Sequence, residues 1–453
     1  MKIHSPPSLL VDFYELAMAQ CYYNWRPGAF ASFDLFVRSL PNNRSYLVFS
    51  GLQDVIGYLE NLNFSREDIL FLKSLRIFSD DFLQFLKNFS FKGDVWAMPE
   101  GEIFFPGEPV IRVTASLIQA QIVESFLLNT INLSTMIATK ASRVVNVAKA
   151  KGLYDFSLRR THGRDAAIKV ARSSFIAGFK GTSNVLAAKL YGIPAVGTMA
   201  HSFVMSFNSE LSSFRAFADT FPKRSILLVD TYDNIKGISN AIVVAKELKA
   251  KGFSLRGIRL DSGDIVSLSR IARRMLDSQG LENVRIFASG NLDEYKISQI
   301  VQAGAPIDDF GVGTHMGTSC DAPYLDVIYK ISEVTDEYGE FLPTMKLSKK
   351  KTTLPGRKQV FRIYNKNRDF SYDIIGLDAQ KIKGARPLLS QVMKKGKVKI
   401  QQPSLTAIQK RVADNLSRLP SRYKCLSAKS VYAVKISREL NKLMVRLPQT
   451  LNK

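Results

Sequence analysis

The chain has 453 residues, of which 46% are hydrophobic, and this length suits two or three globular domains. Its most apolar stretch, residues 110–138, is interrupted by charged and polar side chains, and no apolar signal core follows Met1. We therefore expect neither a membrane span nor secretion. Three cysteines, widely spaced along the chain, fit neither a disulfide framework nor a zinc site, which suits a cytoplasmic protein.

The charge is strongly basic and unevenly distributed. The net charge is +23, and residues 341–453 contain 27 Lys and Arg against 5 Asp and Glu, so nearly all the excess lies in the last quarter. A basic surface attracts the phosphates of nucleotides, nucleic acids or lipids, although it is more often simply solvated. We do not expect nucleic-acid binding to be the main function.

The first 151 residues mix helical and extended patterns. Asp12 precedes an apolar-periodic run, which predicts a helix capped by its side chain, and residues 31–37 alternate like a strand. Closely spaced turns in residues 91–116 predict a small β unit. Residues 119–151 are typical of one or two long helices, with Lys140 and Arg143 near their middle.

From Tyr154 onward, strand and helix patterns alternate. We predict strands within residues 154–160, 194–198, 224–233, 256–264, 284–291 and 306–314, and a helix that ends at Gly192. The last four strand centres lie 29, 28 and 24 residues apart, which favours βα units and a parallel sheet. Each strand ends in a polar cluster. Because a βα barrel gathers all its strand ends on one face, six such clusters favour a barrel over a doubly wound sheet.

His201 follows one of these strands, among small residues. A histidine there can project into a cleft and exchange protons or accept a group near neutral pH. The alternative is a core histidine with satisfied hydrogen bonds. Of the other histidines, His4 lies in the N-terminal tail, His162 follows two arginines, and His315 follows a glycine-rich loop and is the rival candidate.

Two strand ends carry groups suited to anions. In residues 259–264 (RLDSGD), Arg259 can hold a carboxylate bidentately, while Asp261 and Asp264 can bind a divalent metal, orient a hydroxyl or stabilise a cation. Residues 310–319 place glycines among hydroxyl side chains, which lets backbone N–H groups close on a phosphate. A strand-end salt bridge and an ordinary tight turn are the alternative interpretations.

Six segments, in this order and spacing, resemble nicotinate phosphoribosyltransferases over about residues 8–335. They are VDFYELAMAQ (11–20), FSLRRTHG (156–163), GTMAHSF (197–203), RLDSGD (259–264), FASGN (287–291) and FGVGT (310–314). The resemblance implies an α/β protein with an irregular (β/α) barrel of the type II phosphoribosyltransferase kind plus an N-terminal α/β domain. We expect the N-terminal domain over residues 1–125, the barrel over 126–335, and a basic segment over 336–453 that packs back on the N-terminal domain.

The resemblance also implies a reaction. The family joins nicotinate to phosphoribosyl pyrophosphate, giving nicotinate mononucleotide and pyrophosphate as an entry step to NAD, with Mg²⁺ present and ATP hydrolysed alongside. His201 would be the histidine that ATP phosphorylates, and Asp261 would lie near the ribose and the reacting nitrogen. A homodimer would complete each site with Tyr14 from the second subunit.

The remaining assignments follow the matching motifs. The nicotinate-binding residues would be Tyr14, Phe156, Arg159, Thr198 and Arg259. Phosphoribosyl pyrophosphate would be bound by Lys140, Arg143, Ser289, Gly290, Asn291, Gly311, Gly313 and Thr314. Asp264 would bind Mg²⁺. One departure is Val11-Asp12-Phe13-Tyr14, where the family more often has Thr-Asp-Leu-Tyr; the tyrosine is kept.

Three alternatives are considered. A nicotinamide-using relative carries an aspartate at the position of Ser183, where this chain has no carboxylate, as suits an anionic substrate. Quinolinate phosphoribosyltransferase lacks the ATP-linked histidine and needs more basic residues. A non-enzymatic phosphate- or RNA-binding protein would use the basic tail and bind in a salt-dependent way.

Overall fold

A computed structural model describes residues 8–348, 352–427 and 429–451, and the chain divides into two compact units. Of the described residues, the first unit takes those up to 139 and those from 324 onward, and the second takes 140–323. The three-domain division at residues 126 and 336 stays a prediction. Within the described residues, no helix is both long enough and apolar enough to cross a membrane.

The N-terminal part of the first unit alternates short helices and strands. Its helices are α1 (Phe13–Trp25), α2 (Leu52–Asn61), α3 (Arg66–Ser74), α4 (Asp80–Lys87), α5 (Leu117–Ile122) and α6 (Glu124–Ala148), which continues into the second unit. Its strands are β1 (Phe30–Val37), β2 (Leu47–Val48), β3 (Asp94–Ala97), β4 (Ile103–Phe104) and β5 (Ile111–Ser116). Helix α1 begins directly after Asp12, as predicted, but the Asp12 side chain makes no capping hydrogen bond, so the predicted cap is wrong.

The second unit is built from βα repeats. Its strands are β6 (Gly152–Asp155), β7 (Gly181–Thr182), β8 (Ile226–Leu228), β9 (Gly257–Leu260), β10 (Arg285–Ala288) and β11 (Asp309–Val312). Its helices are α7 (Arg164–Ala177), α8 (Val185–Tyr191), α9 (His201–Met205), α10 (Glu210–Thr220), α11 (Asn234–Ala250), α12 (Ile265–Asp277), α13 (Glu294–Gln302) and α14 (Thr314–Gly317). Helix α8 ends at Gly192 in the left-handed conformation, as predicted.

The second unit's strands form one parallel sheet in the order β7-β6-β11-β10-β9-β8. The sheet is curled into a half-barrel, and most residues of its strands are buried, as expected for parallel strands, while Tyr154 and Arg259 are partly exposed. The strand predicted at residues 194–198 is wrong. Ala195 makes only an isolated bridge to Thr182, because Pro194 offers no N–H to extend a ladder. The sixth strand of the sheet is instead β7, which lies at its edge beside β6.

The C-terminal part returns to the first unit. Its strands are β12 (Val327–Thr335), β13 (Phe341–Pro343), β14 (Lys358–Tyr364), β15 (Phe370–Leu377), β16 (Ala385–Pro387), β17 (Ser390–Lys394), β18 (Lys397–Val398) and β19 (Val434–Ile436). Its helices are α15 (Leu405–Arg418) and α16 (Arg438–Leu451). Strand β12 pairs with β1 and β17 pairs with β3, in a seven-stranded sheet ordered β13-β12-β1-β5-β3-β17-β18.

Buried ion pairs join these two parts of the first unit. Arg362, which is 0% exposed, donates to Glu102 Oε1 at 2.7 Å and to Asp373 Oδ2 at 2.6 Å. Lys358 on β14 pairs with Asp34 on β1 at 2.7 Å. Removing one partner of such a pair leaves the other charge buried without compensation, which typically lowers the free energy of unfolding by about 3–5 kcal/mol. Some of the cations in the basic segment are therefore core residues and not surface charges.

A buried carboxyl group makes the stability of this unit depend on pH. Glu15 on α1 is fully buried and accepts a hydrogen bond from Ser125 at 2.7 Å. Burial raises the pKa of Glu15 from its ordinary value of 4.5 to about 7, despite that hydrogen bond. The folded state thus holds a proton that the unfolded chain releases above pH 4.5, so this group's contribution to stability falls as pH rises from 4.5 to 7.

We expect Glu15→Gln to remove this dependence, because glutamine stays neutral. Relative to wild type, the variant should gain up to about 3 kcal/mol in free energy of unfolding between pH 5 and pH 8. Urea unfolding at both pH values measures the gain, and Glu60→Gln on the exposed face of α2 is the control. A constant difference between wild type and Glu15→Gln would contradict the assigned pKa.

Candidate active site

Polar side chains gather at the carboxyl-terminal edge of the parallel sheet. Strand β9 lies between β8 and β10, with Arg259 in register with Leu228 and Phe287. Residues that follow these strands therefore lie at one level, although they are far apart in the chain. We call the following set the polar edge: Thr198, His201, Asp230, Arg259, Asp261 and Ser289.

Arg259 is the central cation of the polar edge. Its Nε donates to Ser289 Oγ at 2.7 Å and its Nη2 donates to Asp261 Oδ1 at 2.6 Å. Its Nη1 donates to Thr198 Oγ1 at 3.0 Å and to the Met199 carbonyl at 3.3 Å. Only 16% of the side chain is exposed, so these hydrogen bonds fix the plane of the guanidinium.

Asp261 is an ionised carboxylate within this network. Its Oδ1 accepts hydrogen bonds from Arg259 and, at 2.5 Å, from Ser289. Burial alone would raise the pKa of Asp261, but the Ser289 hydrogen bond and the charge of Arg259 lower it below its ordinary value. The side chain is 28% exposed, so a negative charge is held in place at the sheet edge.

His201 stands beside Asp261 at the start of α9. Its Nε2 lies 3.9 Å from Asp261 Oδ2, and its Nδ1 lies 3.1 Å from the hydroxyl oxygen of Thr231. With 42% of its side chain exposed, His201 is not the satisfied core histidine considered as the alternative. The Thr231 contact orients the His201 ring so that Nε2 is on the side of the Asp261 carboxylate.

Two residues that follow β8 support this arrangement and were not among the predicted site residues. Thr231 holds the His201 ring, and Asp230 accepts hydrogen bonds from the Asp261 backbone N–H at 2.9 Å and from Ser262 Oγ at 2.6 Å. The polar cluster after this strand was visible in the sequence, and it was the available signal. What it did not indicate was the partner of each side chain.

An aromatic wall adjoins the cation. The Phe156 and Phe287 rings stack with centroids 5.7 Å apart and planes 15° apart, and the Arg259 guanidinium lies 5.6 Å from the Phe156 centroid. Phe287, also missed, carries the matched FASGN segment. Gly311 is required here, because a Cβ on it would lie 2.6 Å from the Phe156 ring. A flat apolar surface beside a fixed cation suits an aromatic anion.

Backbone approach at Gly290 locks two loops together. Gly290 has φ +92°, and a Cβ there would lie 1.9 Å from the Asp261 carbonyl oxygen. The next residue, Asn291, has φ +46°. Gly313 also faces the Phe156 segment, since its Cβ would lie 3.3 Å from the Phe156 carbonyl oxygen, and Thr314 opens α14.

Lys140 and Arg143 do not join the polar edge's hydrogen-bond network. Both are nearly fully buried on α6 and form ion pairs with Glu294: Lys140 Nζ is 2.6 Å from Oε2 and Arg143 Nε is 3.0 Å from Oε1. Lys140 also contacts Asp321 at 2.8 Å, and Arg143 donates to the Tyr295 hydroxyl at 3.2 Å. The structure gives both cations internal partners, and their contact with pyrophosphate stays a prediction.

The other predicted residues have separate surroundings. Asp264 caps α12, accepting from the backbone of Val266 and Ser267 and from the Ser267 hydroxyl. Arg159 is exposed in a short 3-10 turn of the second unit. Tyr14 is 49% exposed on α1 of the first unit.

The remaining histidines have other positions. His315 Nδ1 is 3.5 Å from Asp293 Oδ2 and 3.4 Å from Cys320 Sγ, and His162 is exposed. His4 lies outside the described residues. Among the residues that the structure describes, no group of three or more His, Cys, Asp or Glu side chains is arranged to hold a metal ion.

Comparison with known proteins gives consistent matches along the chain. Three family models match: the nicotinate phosphoribosyltransferase N-terminal domain over residues 9–132, the nicotinate phosphoribosyltransferase family over 152–351, and the C-terminal domain over 381–444. The chain is 45% identical over 420 residues to a nicotinate phosphoribosyltransferase of Mycobacterium tuberculosis, covering 92% of this chain and 89% of the relative. The Bacillus subtilis enzyme of that name is 39% identical, covering 95% and 93%.

The fold matches a solved structure as well. The crystal structure of human nicotinic acid phosphoribosyltransferase superposes with a TM-score of 0.85 and 27% sequence identity, covering 96% of this chain and 99% of the human chain.

We expect Gly290→Ala to disrupt the polar edge. The new Cβ would overlap the Asp261 carbonyl oxygen and would also occupy a left-handed conformation, so the free energy of unfolding should fall by roughly 3 kcal/mol or more. Gly280→Ala is the matched control: its φ is +66° but its Cβ meets nothing within 4 Å, and strain alone should cost about 1–2 kcal/mol. Equal losses in urea unfolding would show that the contact with Asp261 contributes nothing.

Proposed function

The chain belongs to the nicotinate phosphoribosyltransferase family, and from that premise we propose how its polar edge joins nicotinate to phosphoribosyl pyrophosphate. The products are nicotinate mononucleotide and pyrophosphate. The observation that carries the proposal is the Arg259 guanidinium, held between the Phe156 ring and the Asp261 carboxylate. One side of this arrangement suits an aromatic carboxylate, and the other suits a developing positive charge.

Nicotinate binding is assigned to the aromatic wall. Its ring would lie against Phe156, and its carboxylate would bind Arg259 with help from Thr198. The Thr198 hydroxyl accepts a hydrogen bond from Arg259 and donates one to the Met199 carbonyl. Arg159 is an exposed cation on the segment that follows Phe156 and can contribute to an anion's field. Tyr14, exposed on α1, would cover the other face of the ring from a second subunit, so we propose a homodimer with shared sites.

The chemical step requires stabilisation of positive charge on the ribose. Pyrophosphate leaves while the sugar acquires oxocarbenium character, so a fixed carboxylate near the ribose lowers the barrier. The lowered pKa of Asp261 keeps that residue ionised for this role. The backbone around Ser289, Gly290 and Asn291, with the loop formed by Gly311, Gly313 and Thr314, would hold the ribose and its 5-phosphate.

Mg²⁺ is proposed to enter with the pyrophosphate group. Asp264 is a poor fit for a dedicated magnesium ligand, because both its carboxylate oxygens already accept hydrogen bonds within the first turn of α12. Magnesium in enzymes is commonly bound by one or two carboxylates together with substrate phosphates. When bound, it would neutralise charge on the leaving group.

ATP coupling is proposed to proceed through His201. The ring is half-exposed, oriented by Thr231 and close to Asp261, which suits a phosphoryl-accepting imidazole at the substrate site. ATP would lose its γ-phosphoryl group to a ring nitrogen, releasing ADP, and water would later release phosphate. Phosphohistidine would shift substrate binding and would not perform the glycosyl transfer. We also propose a cytoplasmic location, which suits the three exposed cysteines.

Arg259→Ala should lower kcat/KM for nicotinate by on the order of 10²-fold, because a hydrogen bond to a charged group is worth roughly 1.5–3 kcal/mol. Arg256→Ala, an exposed arginine just before β9, is the matched control and should change kcat/KM less than about twofold. Initial rates with saturating phosphoribosyl pyrophosphate measure both variants. An unchanged KM for nicotinate in Arg259→Ala would rule out the clamp.

His201→Ala should abolish acid-labile labelling by γ-³²P-ATP and the stimulation of nucleotide synthesis by ATP. The fold should be retained, because a half-exposed side chain in the first turn of a short helix contributes little to stability, and slow synthesis without ATP should remain. His315→Ala is the control and should keep both labelling and stimulation. The reverse pattern would move the phosphorylated residue from His201 to His315.

A further inference from the structure

The hydrogen-bonding capacity of Arg259 is almost exhausted before any substrate binds. A guanidinium has five N–H groups on three nitrogens, and all three nitrogens of Arg259 already donate. The acceptors are Ser289, Thr198, Met199 and Asp261.

A substrate carboxylate needs two adjacent N–H groups for a bidentate contact. On the edge formed by Nε and Nη2, Ser289 takes Nε and Asp261 takes one N–H of Nη2. On the edge formed by the two terminal nitrogens, Nη1 donates to Thr198 and Met199 while Nη2 donates to Asp261. Both edges are therefore already engaged, so nicotinate must displace at least one of the four acceptors to be clamped.

Of the four acceptors, Asp261 is the one that a substrate carboxylate resembles. It is a carboxylate, it makes the shortest contact at 2.6 Å, and its other oxygen faces outward toward His201 Nε2 at 3.9 Å. Thr198 and Ser289 are neutral, and the Met199 acceptor belongs to the backbone. Exchange of one carboxylate for another at Arg259 conserves charge, whereas displacement by a neutral group does not.

We propose that Asp261 is an internal competitor for the nicotinate site: it occupies Arg259 in the free protein and must release it for nicotinate to bind. This inference rests on the proposed role of Arg259 as the clamp. Asp261 is then a positioning residue for the clamp, because it raises the dissociation constant of every pyridine that must reach Arg259. Nicotinamide, a neutral pyridine, cannot match the charged hydrogen bond that it would break.

The same exchange links the two substrates. A carboxylate released from Arg259 needs new donors, and ribose hydroxyls can supply them at the position proposed for phosphoribosyl pyrophosphate. Each substrate then removes part of the cost of binding the other, and this coupling is reciprocal.

The test is the dissociation constant of each pyridine, measured by calorimetry without ATP or phosphoribosyl pyrophosphate. In Asp261→Asn, an isosteric change, Arg259 keeps only a neutral and weaker partner. Both nicotinate and nicotinamide should bind about tenfold more tightly than to wild type, which is the difference between a charged and a neutral hydrogen bond. In turnover, KM for nicotinate should fall together with kcat, because the carboxylate near the ribose is lost.

Asp233→Asn is the matched control. It removes an exposed carboxylate that follows strand β8 and caps α11, and it should change both dissociation constants less than about twofold. If Asp261 acted only by repelling the nicotinate carboxylate, its removal would tighten nicotinate binding and leave nicotinamide binding unchanged. That result would overturn the proposal. Unchanged or weaker nicotinate binding in Asp261→Asn would overturn it too.

Two further variants keep the test decisive. If Asp261→Asn fails to fold, Ser289→Ala frees Nε of Arg259 and should tighten nicotinate about threefold; weaker binding would contradict the inference. Arg259→Ala separates this inference from the proposed function. If it binds nicotinate as wild type does, the clamp itself is wrong, whereas lost binding together with an unaffected Asp261→Asn would reject the competitor alone.

Discussion

Parallel pairing of β9 with its two neighbours decides where the side chains of the polar edge lie. Because Arg259 is in register with residues of β8 and β10, the segments that follow all three strands meet at one level. Asp261 and Ser289 are 28 residues apart in the chain, yet their side chains are hydrogen-bonded. A slip in register would separate the Arg259 guanidinium from its acceptors, so the arrangement of the polar edge depends on the register of the sheet.

The first unit depends on a different interaction, the pairing of buried charges. Arg362 and Lys358 come from the most basic part of the sequence, and each reaches an acidic partner from the N-terminal segment inside the core. A buried cation is tolerated only when a nearby carboxylate compensates its lost hydration. The charge count alone suggested a surface for phosphates, but it could not separate cations of the core from cations in solvent.

Local signals in the sequence were sufficient for the strands after residue 224 and for the residues at their ends. Polar side chains that follow an apolar run indicated Arg259, Asp261 and Ser289 without any knowledge of their partners. The surroundings of Lys140 could not be predicted in this way. Its helical segment does not reveal which face is buried, and Glu294, the partner of Lys140, lies far along the chain. The false strand at residues 194–198 had the right composition but too few ladder donors.

The contact between Gly290 and the Asp261 backbone has an evolutionary consequence. A side chain at this position would overlap a neighbouring carbonyl oxygen, so the position cannot accept one unless the backbone of the two loops shifts. A change of ligand at these loops would then have to come from positions that already carry side chains, such as Thr198 and Ser289 beside Arg259. The backbone of these two loops would then stay fixed while the neighbouring side chains change.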